Sequence, residues 1–227
     1  MLDPVNAVTE SAPVDRLPRG RHGLSRREVV TSQRGRMLRA MADAMTERGY
    51  VGTPVAEVIR RAGVSRETFY QQFSSKLDCF MAAFDSAAEL LLGSIETKTG
   101  LDRATLDGHD GRDAGTRLAR FDRVLAAYLD GLASHPGYAR LFLVEVYAAG
   151  PEAISTRIGL QHVIVDTLVA LLGVTSEQGR FACEVLVAGI SVLVTEPLAR
   201  HDPEAVRDLR DPVVDLVRRA LATDGDR

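Results

Sequence analysis

Tryptophan is absent, and aromatic residues make up only 5% of the 227-residue chain. Any core must therefore be built from Leu, Val, Ala, Met and a few Phe. Cysteine is almost as scarce. Cys79 and Cys183 lie about a hundred residues apart and form no CxxC pair, no metal-ligand spacing and no secreted disulfide framework. No apolar run approaches the roughly 20 residues that span a bilayer, and Met1 to Gly20 has Pro and Asp where a signal peptide needs an apolar stretch. Catalytic signatures are missing as well: there is no G-x-S-x-G, Walker A, G-x-G-x-x-G after a strand, or HExxH. The histidines (His22, His109, His135, His162 and His201) are dispersed. These absences predict a soluble, cytoplasmic protein that is not an enzyme, spans no membrane, and needs no metal or cofactor. What is there, 45% hydrophobic and 26% charged residues, is too apolar for disorder and enough for one or two domains.

The net charge of -3 hides an asymmetry. Between Arg16 and Lys76 there are 13 basic and 5 acidic residues, whereas residues 77–227 carry 15 basic and 23 acidic ones. A basic segment on an acidic body points to one part of the chain meeting a polyanion. Nearly all the bases are Arg, with only Lys76 and Lys98 as lysines; together with abundant Ala and Gly this reads as a GC-rich coding bias, which lessens its weight.

Hydrophobic periodicity is helical throughout, and no segment alternates as a strand would. Residues 1–24 hold Pro4, Pro13, Pro18, Gly20 and Gly23 and read as a flexible basic arm. Ser25-Arg26-Arg27-Glu28 is a capping-box pattern opening a helix with Met37, Met41 and Met45, which Gly49 ends. Thr53-Pro54 restarts a short helix closed by Gly63. Ser65 caps a third, and Ser75-x-x-Asp78 opens a long fourth. Gly100 to Gly115 reads as a solvated loop; its Asp-rich spacing does not match a calcium loop. Further helices follow at about 115–134, 138–149, 152–172 and from Thr175-x-x-Gln178 onward. Pro197 and Pro212 kink or divide the last ones.

The stretch GYVGTPVAEVIRRAGVSRETFYQQFSSK, Gly49 to Lys76, carries the chemistry. Two short helices joined by Ala62-Gly63-Val64-Ser65 fit a helix-turn-helix, with Gly63 making the turn and Val64 plugging the corner. The second helix turns Phe69 and Phe73 inward and Arg66, Glu67, Tyr70 and Gln71 outward. Arg suits guanine O6 and N7, Gln suits adenine, and the N–H groups behind Ser65 favour a phosphate.

GVSRETFYQQFSSK closely resembles the signature of TetR-family transcriptional regulators, a Gly-Val-Ser turn before a T-[FL]-Y-x-x-F core and a downstream Ser-Lys. The resemblance covers about residues 34–80. It implies an all-α fold with an N-terminal three-helix DNA-binding unit (25–74) and a C-terminal helical ligand-binding and dimerisation domain (75–227). It further implies phosphate contacts from Thr53, Tyr70 and Lys76, and base-edge contacts from Arg66, Glu67, Thr68 and Gln71. Gln72 stands where the family often has His. The Arg-rich arm either enters a minor groove or remains a passive basic tail.

The function so implied is a ligand-responsive regulator, a repressor, binding a palindromic double-stranded DNA operator as a homodimer. Ala182, Ala188, Gly189 and Ala199 with Val185, Val192, Val213, Leu216, Val217 and Leu221 are expected to form the subunit contact. Phe121, Tyr128, Phe142, Tyr147, His162 and Phe181 are expected to line an apolar pocket, with Gln161 as a further polar group, for a small lipophilic or aromatic effector. Two other classes stay open: a helical enzyme or small-molecule carrier that retains the helix-turn-helix as structure, and a DNA-binding regulator without a ligand.

Overall fold

The computed structural model describes residues 26–100 and 113–224, and all the regular structure in them is helical. Helix α1 (Arg26–Arg48) packs on α2 (Val55–Ala62), with α3 (Arg66–Gln72) set against them by the turn at Gly63. Gly63 has φ +62°, a left-handed conformation that glycine adopts without a Cβ penalty. Ser65 accepts from the Thr68 N–H and so caps α3. Phe69 and Phe73 are fully buried beneath it, with their ring centroids 5.5 Å apart.

Helix α4 (Lys76–Thr99) leaves this unit and enters the C-terminal domain. Ser75 caps it through the Asp78 N–H, while Asp78 reaches back to the N–H and hydroxyl of Ser74, one residue earlier than a strict capping box. There follow α5 (Ala114–Ser134) and α6, which consists of Pro136–Arg140, a π-helical stretch Leu141–Glu145, and Val146–Ala149. Next come α7 (Pro151–Leu172) and α8 (Glu177–Leu193). The short α9 (Thr195–Ala199) and α10 (Pro203–Asp208) precede α11 (Arg210–Asp224). Pro197 therefore lies in α9, just beyond the end of α8, and Pro212 lies in the first turn of α11. The cap of α8 is Ser176, on the Gly179 N–H, one residue later than the Thr175 reading.

One apolar cluster runs from Met37, Met41 and Met45 of α1 through Phe80 and Phe84 of α4 to Leu129 and Leu141, and on to Val165 and Val187. The N-terminal unit is thus fused to the body where α1 meets α4 and α6. One reading needs correction. Helix α7 and the stretch Glu177–Ala199 are each long and apolar enough, by length and composition, to cross a membrane, although no such run was visible in the sequence. Their apolar residues serve two sides, one packed inward and one facing out: Phe181, Val185, Val192 and Leu193 of α8 are exposed, as is Ile158 of α7. The Arg-rich arm, the Ser25 cap and most of the Asp-rich loop lie outside the described residues.

Candidate nucleic-acid interface and internal cavity

Helix α3 presents Arg66, Glu67, Tyr70 and Gln71 to solvent from a base fixed by Phe69 and Phe73. The Arg66 guanidinium lies 5.2 Å from the Tyr70 ring centroid, a cation–π contact that props it at the start of the helix. The Gln71 amide donates to Glu67 Oε1 at 3.2 Å, so the two outward polar groups hold each other. The Thr68 hydroxyl pairs with Ser65 Oγ at 2.8 Å. At the far end Gln72 donates to the Val30 carbonyl, and Arg34 donates to the Gln72 carbonyl while covering the Phe73 ring.

Much of the positive charge counted in the sequence is committed internally. Arg36 donates to the Ala62 carbonyl at the end of α2. Arg60 and Arg61 both grip Glu57, and Arg61 also grips Glu47. These hydrogen bonds hold the Glu57 carboxyl far below the usual range, at about 2. Arg66 makes no ion pair among the described residues.

Two expected phosphate ligands are placed differently. Thr53 is fully buried, and its hydroxyl donates to the Gly49 carbonyl at 2.7 Å, bracing the α1–α2 turn. Helix α2 begins one residue later than read, with Pro54 in the cap position. Lys76 is half-buried; its ammonium donates to the Tyr50 carbonyl at 2.9 Å and sits 4.0 Å from the Tyr50 ring centroid, and burial pulls its pKa down. From the other side Glu145, itself buried, accepts from the Tyr50 N–H at 2.7 Å and from Arg140 at 3.2 Å. One peptide group of the N-terminal unit is thus held between α4 and α6. Gly49 beside it has φ +67°, and a Cβ there would stand 3.1 Å from the Glu145 carboxylate. Glu145 went unnoticed in the sequence. Its signal was a lone acid inside the apolar run Leu141 to Val146.

A cavity of about 270 Å³ lies in the C-terminal domain between α4, α5, α6, α7 and α8. Leu91 and Ile95 of α4, Phe121, Leu125 and Tyr128 of α5, Phe142 of α6, Ile164 and Leu168 of α7 and Ile190 of α8 form its apolar wall. Phe121, Tyr128, Phe142 and Gln161 are among the residues that line this cavity. Tyr147, His162 and Phe181 are not among the lining residues. Tyr147 is 56% exposed and stacks outside on Arg157. His162 faces solvent, and Asp166 one turn further on pairs with Arg180 of α8. Phe181 is 65% exposed, on the side of α8 away from the cavity. The sequence reading missed Arg157, a lining residue.

The sequence profile described as bacterial regulatory proteins, tetR family, matches residues 38–83, which covers the end of α1, α2, α3 and the start of α4. The N-terminal unit is a tetR-family domain. The HTH-type transcriptional activator FasR of Mycolicibacterium smegmatis is 31% identical over 81 residues, which is 36% of this chain and 37% of that protein. The match therefore spans little more than a third of that relative. Among solved structures, a TetR-like regulator from Rhodococcus sp. RHA1 superposes with a TM-score of 0.65 at 18% identity, covering 88% of this chain and 98% of that one. FadR from Bacillus subtilis, solved in complex with stearoyl-CoA, gives a TM-score of 0.63 at 16% identity, covering 81% and 96%. The tetR-type arrangement of an N-terminal helix-turn-helix and a helical C-terminal domain thus extends over most of the chain.

Proposed function

We propose that this protein is an effector-responsive transcriptional repressor that binds a palindromic operator as a homodimer. The observation that carries the reading is α3 itself: a capped helix, locked from below by two buried Phe, with Arg66, Glu67, Tyr70 and Gln71 exposed in tetR register. Arg66, Thr68 and Gln71 suit base edges in a major groove, Glu67 suits a cytosine amino group, and Ser65 and Tyr70 suit the flanking backbone. The chain divides in this reading into an arm (1–24), the DNA-reading unit (25–74) and the effector and dimer domain (75–227).

The dimer is supported by the outer face of α8. Phe181, Val185, Ala188 and Val192 recur at spacings of four, three and four, all exposed, and Leu216 of α11 is exposed too. Such a stripe on two helices suits a four-helix bundle between subunits, which would set half-sites about 34–36 Å apart or a multiple of it. Val213 and Val217 are buried within the subunit and belong to its own core.

Effector response is supported by the cavity's position. Helix α4 forms one wall with Leu91 and Ile95 and begins at Lys76, on the Tyr50 carbonyl. Helix α6 contributes Phe142 to the wall and Glu145 to the Tyr50 N–H. Positions three apart share a face in an α-helix; the wider π turn rotates them apart, so one can face the cavity and the other the N-terminal unit. The neighbour holding stearoyl-CoA favours an effector with a long apolar chain.

The test is selection of duplexes from a random pool by the purified protein, followed by a promoter reporter carrying the selected site. Repression relieved on adding an apolar ligand supports the reading, and failure to enrich any sequence overturns it. Activation is the second reading, favoured by the naming of FasR as an activator, and the same reporter would reveal it as a gain of signal.

A further inference from the structure

The polar atoms on the cavity wall are few, and most are already used. Ser191 donates to the Val187 carbonyl at 2.9 Å and Thr167 to the Val163 carbonyl at 2.8 Å, both within their own helices. Gln161 accepts from an Arg157 terminal nitrogen at 3.2 Å. Two donors remain. Arg157 Nε is buried with no hydrogen-bond partner, and the residue makes no ion pair among the described residues. Among the described residues the guanidinium also faces the Tyr147 ring, with its carbon 5.1 Å from the centroid. Tyr128, half-buried on the same wall, makes no hydrogen bond among the described residues, although its hydroxyl is not fully buried as Arg157 Nε is. Burial pushes the hydroxyl up to about 12 against the pull of the nearby Arg157 charge, so it stays protonated and able to donate. Glu96, the one carboxylate on the lining, is exposed at the rim.

A buried cationic donor left without an acceptor is costly, and such groups in a binding cleft mark where an anion is received. The cavity, about 270 Å³, is walled mostly by hydrocarbon. We propose that the effector is a lipophilic monocarboxylate whose chain fills the apolar cavity and whose carboxylate is bound by Arg157 Nε and the Tyr128 hydroxyl. This rests on the effector-responsive reading above and specifies the ligand's charged end: a free acid inside the cavity rather than a thioester whose polar group stays outside.

The test is titration calorimetry of the full chain with decanoate, 1-decanol, decylamine and decanoyl-CoA, on wild type, Arg157→Met, Arg157→Lys and Tyr128→Phe. In wild type, decanoate should bind about tenfold or more tightly than decanol, the gain expected from a charge-assisted hydrogen bond. Arg157→Met should erase that preference while leaving decanol within about twofold, and Arg157→Lys should keep part of it. Tyr128→Phe, which removes only a hydroxyl and keeps the ring, should weaken decanoate several-fold and decanol not at all; it carries the test if Arg157→Met does not fold. Equal affinity for decanoate and decanol would overturn the inference and leave the lipophilic effector standing. Preference for decylamine, or tight decanoyl-CoA binding indifferent to Arg157, would overturn it too. Binding of none of the four would overturn both this inference and the apolar effector it rests on.

Discussion

Glu145→Ala tests whether the Tyr50 peptide is the joint between the DNA-reading unit and the body. The substitution removes a buried carboxylate that accepts from the Tyr50 N–H at 2.7 Å and from Arg140 at 3.2 Å. An N–H bonded to a charged acceptor contributes about 1.5–3 kcal/mol, and breaking a buried ion pair costs about 3–5. Arg140 retains some solvent access and can rehydrate, which lowers the second figure. The expected loss is therefore about 2–4 kcal/mol, read as a lower urea midpoint at unchanged m-value. Glu145→Gln keeps an acceptor for the N–H and should cost about 1 kcal/mol, the net worth of an ordinary hydrogen bond. Because Lys76 holds the carbonyl of the same residue, Glu145→Ala and Lys76→Met should be non-additive by more than about 0.5 kcal/mol. A loss below about 0.5 kcal/mol for Glu145→Ala, or strict additivity with Lys76→Met, would refute the joint.

Arg66→Ala should cost roughly 1–3 kcal/mol on the selected operator and relax one base position, whereas Lys76→Met should weaken all sequences alike with no change in salt slope, since its ammonium is spent on Tyr50; binding titrations at several salt concentrations separate the two. Val185→Asp should turn a dimer into a monomer of 24.6 kDa by light scattering, and an unchanged mass would remove α8 from the subunit contact. Glu57 has its pKa lowered from 4.5 to about 2 by hydrogen bonds from Arg60 and Arg61, so its contribution is whole above pH 4.5 and is lost as pH falls toward 2. Glu57→Gln should flatten the acid limb of the stability curve in that window. Cys79 is fully buried, and burial pushes its thiol to about 12, so it should resist alkylation at pH 8 until the chain unfolds.

The helix-turn-helix was legible because its determinants are local. Gly63 supplies a left-handed residue, Ser65 a cap, and Phe69 and Phe73 a buried side, each within one short segment. What local pattern could not show is where a polar group spends its bonds. Arg36 is tied to Ala62 and Arg61 to two glutamates, so the basic count overstated the charge free to meet a phosphate. Thr53 and Lys76 were misplaced for the same reason, each being taken up by a backbone carbonyl. In the C-terminal domain the bounds of α5 were legible, about 115–134 against Ala114–Ser134, because the break at Pro136 is local. Helices α7 and α8 are apolar on more than one side, and periodicity does not say which side is cavity, core or outer face. Phe181 and His162 were misassigned there. The useful signal was the reverse one: a lone charge in an apolar setting, Arg157 on α7 and Glu145 on α6.

The arrangement around Tyr50 also bounds how an occupied cavity could be felt by the DNA-reading unit. A ligand shifts an equilibrium only by its difference in affinity for the two states. Here the cavity wall and the joint share two elements: α4, through Leu91 and Ile95 at one end and Lys76 at the other, and α6, through Phe142 and Glu145. The two are also clamped to each other where Phe84 stacks on Phe142, centroids 5.0 Å apart. Any displacement of α4 against α6 at the level of Tyr50 must stretch the bond to its carbonyl or the bond to its N–H. Losing one charge-assisted hydrogen bond costs about 1.5–3 kcal/mol, the same size as coupling energies between sites, about 1–3 kcal/mol. A single broken bond at Tyr50 is therefore enough to carry a response of roughly ten- to hundredfold in DNA affinity. No unfolding of the three-helix unit, held by the buried Phe69 and Phe73, is needed to account for it.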